Sequence, residues 1–195
     1  MTDFFAPERP VPDGIETSRL LLEPLKPEHV KVDYAAVMVS REQLRLWSGS
    51  PWPADDFTLD DNLQDMQWHW REHQDRIAFT YTVLDPARTV CLGCVYMRPL
   101  LELQPANPTQ LADTAADEAL VRCWVRSSRL DGDLERHLLD TLLNWLYDVW
   151  SFSRVLFETR ELNKRQAQLF EGFPLRLRMS LQMPGRGGTH LFFER

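Results

Sequence analysis

The stretch that decides the fold reads Glu118-Ala-Leu-Val-Arg-Cys-Trp-Val-Arg126 and passes through Ser127-Ser-Arg-Leu-Asp-Gly-Asp133 into a leucine-rich segment. Its first part is rich in β-branched and aromatic residues, which predicts a strand over residues 119–126. Apolar residues then recur at steps of three and four, which predicts a helix bearing Leu134, Leu138, Leu142, Trp145, Leu146 and Val149. A strand, a short loop and a helix start gather backbone N–H groups and the positive end of the helix dipole. The unit therefore suits an anion.

The composition is that of an ordinary globular protein. The chain has 195 residues, of which 44% are hydrophobic and 26% charged, and this fits one domain with a substantial core. No apolar run approaches the roughly 20 residues of a membrane span, and the N-terminus lacks a signal-peptide pattern. We therefore expect a cytoplasmic protein. The net charge of −7, without a basic stripe, argues against nucleic acid as a partner.

The cysteines and histidines predict no metal site. Cys91 and Cys94 fall in a predicted strand, where residues three apart point to opposite faces, so we expect buried apolar side chains rather than a redox or zinc pair. His69 and His73 lie one helical turn apart without an evident third ligand. We expect both to be solvated on the outer face of a helix.

Patterns on either side of the central unit predict further elements. Residues 19–23 read as a first strand, residues 77–97 as a hairpin, and residues 154–159 as a strand parallel to the central one. Thr58, with Asp61 three residues later, is a plausible N-cap of a helix. Residues 101–117 predict a longer irregular insert, whose tip is a poor core element and a candidate for a mobile rim.

The order of "Trp-Val-Arg, loop with glycine, long leucine-rich helix" resembles the central motif of the GNAT superfamily of acetyl-coenzyme A dependent N-acyltransferases. "Thr-Ser-Arg-Leu-Leu-Leu-Glu-Pro-Leu" at residues 17–25 is similar to the opening strand of its ribosomal-protein N-terminal acetyltransferase branch. The resemblance implies an α/β (α+β) fold, a mixed and mostly antiparallel sheet flanked by helices. Residues 18–195 would form a single such domain, after an irregular N-terminal tail over residues 1–17.

In that family the central strand pairs with the pantetheine arm of coenzyme A, and an Arg/Gln-x-x-Gly-x-Gly/Ala loop wraps the pyrophosphate. The loop motif falls on Leu130, Asp133 and Glu135, none of which matches, and Gly132 is one position out of register. The residues that the resemblance assigns to coenzyme A are Trp124, Val125, Arg126, Arg129, Leu130, Asp131, Gly132, Asp133, Leu134 and Asn163.

The degenerate loop has two interpretations. Asp131 or Asp133 could cap the helix, with Glu135 in its first turn, so that the protein's own acids fill the anion site. Alternatively, the site is a divergent coenzyme A site in which Arg126, Arg129 and Arg136 replace the glycine loop.

A second part of the resemblance lies after the predicted parallel strand. Residues 163–173 are similar to the family's "Asn-x-x-Ser/Ala, apolar pair, Gly-Phe" segment, and Asn163 matches the asparagine that contacts the cofactor arm there. Many members use a tyrosine in this helix as general acid. Phe170 stands at the neighbouring position and has no proton to give.

Acyl transfer to an amine needs a polarised thioester carbonyl and a group that takes the amine proton. We expect Glu118, at the start of the central strand, to be the general base, with Asp117 as the fallback. In the family the region of residues 47–70 borders the acceptor pocket, and Trp47, Trp52 and Trp70 are our candidates for lining a substrate cleft.

The resemblance implies acetyl transfer from acetyl-coenzyme A, as co-substrate, to an amine of a small molecule or a protein N-terminus. One rival is a protein that keeps the fold, has lost coenzyme A binding and acts as a binding module. Another is an enzyme with a different acyl-coenzyme A donor, whose pocket the insert 101–117 reshapes. Homodimers are common for the fold and are possible for this chain.

Overall fold

The computed structural model describes residues 4–130, 132–183 and 187–195, and within them it contains one eight-stranded sheet. The strands are β1 (Ile15–Glu16), β2 (Leu21–Pro24), β3 (Phe79–Leu84), β4 (Cys91–Pro99), β5 (Glu118–Val125), β6 (Arg154–Arg160), β7 (Arg176–Gln182) and β8 (Thr189–Glu194). Their order across the sheet is β1-β2-β3-β4-β5-β6-β8-β7. Only β5 and β6 are parallel among these described strands. The predicted fold class is confirmed.

The helices are α1 (Val30–Val39), α2 (Arg41–Ser48), α3 (Leu59–Gln74), α4 (Leu134–Asp148) and α5 (Lys164–Glu171). Thr58 is the N-cap of α3 and forms the predicted capping box with Asp61. None of the helices in the described part of the chain has the length and apolar character needed to cross a membrane.

Two apolar cores lie on opposite faces of the sheet. Successive residues of β5 alternate between them, with Cys123 and Val125 in one core and Trp124 in the other. The first core contains the apolar stripe of α4 together with Phe170 of α5, which fixes the position of the helix start beside β5. The second core packs α1, α2 and α3 against the other face.

The insert contributes more to the core than its sequence predicts. Residues Leu100–Ala106 form a 3₁₀ helix, and both Leu100 and Leu111 are buried. They pack with Leu120 of β5 and Leu156 of β6 in a third apolar cluster. Leu100 precedes the predicted insert, and residues 108–110 and 112–113 at its tip are exposed as expected, so the prediction is wrong only for Leu111.

The N-terminal segment is partly ordered by the sheet. Ile15 and Glu16 pair with β2 as strand β1, and Phe4 and Phe5 are buried in the first core. Aromatic contacts with Phe79 and Trp150 hold Phe5 in place. The tail predicted over residues 1–17 is therefore not irregular throughout its described part.

A β-bulge changes the geometry of the two cysteines in β4. Cys91 pairs with Leu84 and Gly93 pairs with Val83, so Leu92 is an extra residue. Cys91 and Cys94 consequently share the second core, and the prediction of opposite faces is wrong. Both thiols are buried, as expected, and burial raises the pKa of Cys91 to about 12.

The histidines of α3 also differ from expectation. His73 is buried with its ring against Trp70, Phe79 and Tyr81, and the His69 side chain is only 16% exposed. The prediction of two solvated histidines is wrong because this face of α3 packs on the sheet. Among the residues that the structure describes, no three potential ligands are grouped as a metal site would require.

Candidate functional site

The parallel strands β5 and β6 separate partway along their length. They pair from Glu118–Arg154 to Val121–Phe157 and no further. Beyond that point β5 continues beside β4 up to Val125, whereas β6 continues beside β8. The result is an opening in the sheet, which we call the groove. One of its walls is the strand edge formed by residues 122–125.

The backbone of β5 presents two residues to the groove. The N–H of Arg126 donates to the carbonyl of Leu92 at 2.7 Å, which fixes the alternation along the strand. Residues 122, 124 and 126 direct their backbone groups to β4, and Cys123 and Val125 direct theirs to the groove. This is the edge with which an extended ligand could pair.

Side chains of the protein already occupy the carbonyls of this edge. The Cys123 carbonyl accepts from the indole N–H of Trp47 at 2.9 Å and from Nε2 of Gln166 at 2.9 Å. The Val125 carbonyl accepts from Nε2 of Gln43 at 3.2 Å. The groove is therefore closed by donors from α2 and α5.

Gln166 was missed by the sequence reasoning. It is 2% exposed, and its Oε1 accepts from the hydroxyl of Thr159 at 2.9 Å and from Nδ2 of Asn163 at 3.3 Å. Asn163, the predicted cofactor contact, thus supports Gln166 in this structure. The signal was present in the sequence, because Gln166 stands at the fourth position of the Asn-x-x-Ser/Ala segment, where the family has a small residue.

A buried polar cluster lies at the inner end of the groove, where the two strands separate. Nε of Arg122 lies 3.4 Å from one oxygen of Glu158, and Nδ1 of His190 lies 2.6 Å from the other. The side chains of Glu158 and His190 are 2% and 0% exposed. The sequence reasoning missed this cluster because its members come from β5, β6 and β8, which only the fold brings together.

Arginines of this region hold the end of α2 over the groove. Arg122 places its guanidinium 4.0 Å from the ring centre of Trp47 and donates to the Trp47 carbonyl at 3.2 Å. Arg160 donates to the Leu46 carbonyl. These are carbonyls of the last turn of α2, where the helix dipole favours cations. Gly49 then turns the chain with φ 71°, and a Cβ there would lie 2.8 Å from Nε of Arg160.

The outer end of the groove leads to the loop before α4. Three N–H groups of this loop are already used: that of Ser127 donates to Oγ of Ser40, that of Arg129 to the Arg126 carbonyl, and that of Leu130 to the Ser127 carbonyl. The last two of these bonds belong to the 3₁₀ turn over Ser127–Arg129. The loop therefore offers fewer free donors than a glycine-rich phosphate loop does.

Two acids at the start of α4, Asp133 and Glu135, pair with arginines. Asp133 is at the N-cap position, but its side chain makes no capping hydrogen bond. It lies 2.5 Å from NH2 of Arg19, and this hydrogen bond lowers the pKa of Asp133. Glu135 pairs with Nε of Arg165 at 3.1 Å. Asp133 is thus the N-cap residue without a side-chain cap, because ψ of 15° at Asp133 is far from the extended backbone of a capping residue. The alternative cap, Asp131, lies outside the described residues.

Two surface cavities flank the start of α4. One has a volume of about 460 Å³ and is lined by Arg19, Arg129 and Leu134 among others. The other has about 510 Å³ and lies between Arg136 and Arg165. Arg129 lines the first cavity and Arg136 the second, so two of the three arginines of the divergent-site interpretation lie at this end of the groove.

The predicted coenzyme A residues fall into three groups: backbone at the groove, side chains in the core and residues of the exposed loop. Cys123, which was not predicted, and Val125 face the groove through their backbone, whereas the Trp124 side chain is buried in the second core and donates to Tyr96. Leu130 and Leu134 pack on the first core. Arg126 is half-buried, Arg129 and Gly132 are exposed at the loop, and Asp131 lies outside the described residues.

Glu118 and Asp117 lie where β5 and β6 begin to pair, away from the point at which the two strands separate. Glu118 is buried and forms an ion pair with Arg154 at 2.6 Å, and Asp117 accepts from the hydroxyl of Ser153. Glu118 lies three positions before Val121, the last paired position of β5, which corresponds to about 10 Å along a strand. Neither acid faces the groove.

The three candidate tryptophans have different surroundings. Trp47 lies in the groove, whereas Trp52 donates to Asp65 at 3.3 Å and packs on Phe57. Trp70 stacks on His73, with Lys26 above its ring. Phe170, at the position near the family's tyrosine, is buried against Phe157 and Phe193 and belongs to the core.

No protein-family model and no curated protein matches the sequence. Solved structures do match the fold. The ribosomal-protein-S5-alanine acetyltransferase of Vibrio fischeri aligns over 93% of this chain and 95% of its own, with a TM-score of 0.70 and 14% identity.

Two ligand-bound structures are similar over nearly their whole length. A ribosomal L7/L12 α-N-protein acetyltransferase in complex with coenzyme A aligns over 93% of this chain and 97% of its own, with a TM-score of 0.72 and 15% identity. The microcin C7 self-immunity acetyltransferase in complex with acetyl-coenzyme A and AMP aligns over 95% and 97%, with a TM-score of 0.72 and 14% identity. At these identities the likeness establishes the fold.

Proposed function

Because the chain has the GNAT fold, we propose that it is an acyl-coenzyme A dependent N-acyltransferase. It would transfer an acetyl group from acetyl-coenzyme A to an amine of a small molecule or of a protein N-terminus. One observation carries the proposal: β5 and β6 separate after Val121 and Phe157 and leave an extended strand edge that leads to the start of α4.

The positions of the charged groups support one orientation of the acyl-coenzyme A donor along the groove. The helix start and Arg129 and Arg165 suit the pyrophosphate at the outer end. The pantetheine arm would then run back along Val125 and Cys123, and the thioester would reach the inner end. An N–H of this edge would polarise the thioester carbonyl.

The same orientation of the acyl donor indicates which residues could take the proton of the acceptor amine. Glu118 lies on the closed side of the strand separation, whereas Glu158 is one residue beyond the last paired position of β6. Its pairing with His190 at 2.6 Å resembles the arrangement in which a carboxylate orients an imidazole base. We therefore favour the Glu158–His190 pair over Glu118 for this role.

A second candidate function is a binding module that keeps the fold without using coenzyme A. The outer end of the groove favours it, because three loop N–H groups are already hydrogen-bonded and two acids flank the start of α4. A phosphate would compete with Asp133 for Arg19 and with Glu135 for Arg165.

Isothermal titration calorimetry with acetyl-coenzyme A and with coenzyme A distinguishes the two functions. The proposed enzyme binds at micromolar to submillimolar concentrations, and it releases coenzyme A when a panel of primary amines and N-terminal peptides is added. An absence of binding at millimolar ligand, both in the native chain and in a variant with an opened groove, would favour the binding module.

A further inference from the structure

The groove contains a carbonyl whose hydrogen-bonding capacity is fully used. A backbone carbonyl oxygen has two lone pairs, and that of Cys123 accepts two donors at 2.9 Å, one from Trp47 and one from Gln166. A ligand N–H that donates to this carbonyl must therefore replace one of the two donors.

The two donors are not equally fixed. The Trp47 ring is covered by the Arg122 guanidinium at 4.0 Å, and Arg122 and Arg160 bind the carbonyls of Trp47 and Leu46. Moving Trp47 would disturb this whole arrangement at the end of α2. Gln166 is held only through its own carboxamide group, by Thr159, Asn163 and the Cys123 carbonyl.

We propose that Gln166 controls the access of an acyl donor to the groove and that its carboxamide takes the position of a ligand amide. A pantetheine arm, which carries two amides, pairs with Cys123 only after the Gln166 side chain rotates away. The hydroxyl of Thr159 and the carboxamide of Asn163 then become free to donate to a ligand carbonyl. This inference rests on the proposed function, because it concerns how the same groove admits its acyl donor.

The test compares Gln166→Ser with the native chain in calorimetric titrations. The serine side chain is too short to reach the Cys123 carbonyl as Nε2 of Gln166 does, and it opens space. The matched control is Gln67→Ser, at an exposed glutamine on α3. The probes are acetyl-coenzyme A and 3′-phospho-ADP, which lacks the pantetheine arm. We expect Gln166→Ser to bind acetyl-coenzyme A at least about tenfold more tightly than the native chain and the control do, with 3′-phospho-ADP unchanged.

Each outcome decides one proposal. Equal affinity of the native chain and Gln166→Ser for acetyl-coenzyme A would overturn the role of Gln166 and leave the proposed function intact. An absence of acetyl-coenzyme A binding in both would overturn the proposed function, and the role of Gln166 with it.

A measurement on the native chain guards against a variant that does not fold. The side-chain amide protons of Gln166, observed by NMR, should exchange slowly with solvent because they lie in a buried hydrogen bond. Saturating acetyl-coenzyme A should shift their resonance and speed their exchange. Rapid exchange in the ligand-free chain would contradict the proposal.

Discussion

The two ends of the groove hold their charged and polar groups in different ways. At the inner end Glu158 and His190 are buried, and the Glu158 carboxylate pairs with His190 and with Arg122, whose side chain is 13% exposed. At the outer end the Arg19 and Asp133 side chains pair while remaining 40% and 71% exposed. Buried partners cannot be exchanged for water, whereas exposed ones can. The inner end is therefore built into the folded state, and the outer end is adjustable.

The sharpest test of this contrast is Glu158→Ala. It leaves Arg122 and His190 without their shared carboxylate inside the protein, and breaking a buried ion pair in this way costs about 3–5 kcal/mol of folding free energy. Urea unfolding measures the loss, with Glu161→Ala, an exposed acid after β6, as the control. A loss below about 1 kcal/mol would mean that water replaces the carboxylate and that the inner end is not closed.

The sequence predicted the outer end of the groove better than the inner end. The strand, loop and helix of residues 118–148 are contiguous, so their periodicity and the loop composition were readable. The positions of Arg122, Glu158 and His190 depend on strand pairing across β5, β6 and β8, which no local pattern specifies. Even so, buried Glu158 and Arg160 interrupt an apolar strand, and Gln166 departs from a small-residue position. Both departures could have been noticed.

The local sequence pattern also gave wrong predictions where tertiary packing determines which side chains are exposed. The spacing of His69 and His73 is the same whether their helix face is solvated or packed. Only the position of α3 on the sheet makes His73 a buried side chain. Likewise, the bulge that brings Cys91 and Cys94 to one face needs a register shift against β3, which the cysteine spacing does not encode.

His73 shows the effect of burial alone, because it is buried and, among the described residues, forms no ion pair like that of His190 with Glu158. Burial, aided by Lys26, lowers its pKa from 6.5 to about 4. The unfolded chain therefore binds the proton more tightly. The stability linked to His73 is complete above pH 6.5 and is lost as the pH falls from 6.5 towards 4, by about 3 kcal/mol in total.

Urea unfolding at a series of pH values checks this for the native chain and for His73→Phe. The phenylalanine variant should lose less stability between pH 6.5 and 4, since its ring cannot be protonated. Parallel curves for the two proteins would show that His73 does not carry the acid sensitivity.

Trp47→Phe probes one hydrogen bond at the inner end. The phenyl ring keeps the contact with the Arg122 guanidinium but removes the indole donor from the Cys123 carbonyl. We expect a loss of about 1 kcal/mol, the net value of one hydrogen bond, with Trp52→Phe as the control at a half-buried donor. Acetyl-coenzyme A affinity should rise less than in Gln166→Ser because the ring still fills the space. An equal rise would make Trp47 the determinant of access.

The smallest effect should come from Asp133→Asn at the outer end. The change removes a negative charge beside the start of α4 and frees Arg19 for a phosphate, while asparagine can still occupy the N-cap position. In the Gln166→Ser background we expect the Kd for acetyl-coenzyme A to fall by about two- to fivefold, the effect of one charge at a helix terminus. Since the pair is exposed, high salt should erase the difference. Asp148→Asn, at the opposite end of the same helix, is the matched control.

Weaker binding after Asp133→Asn would show that the Arg19–Asp133 pair organises the loop for the ligand, and the outer end would then be as firmly built as the inner one.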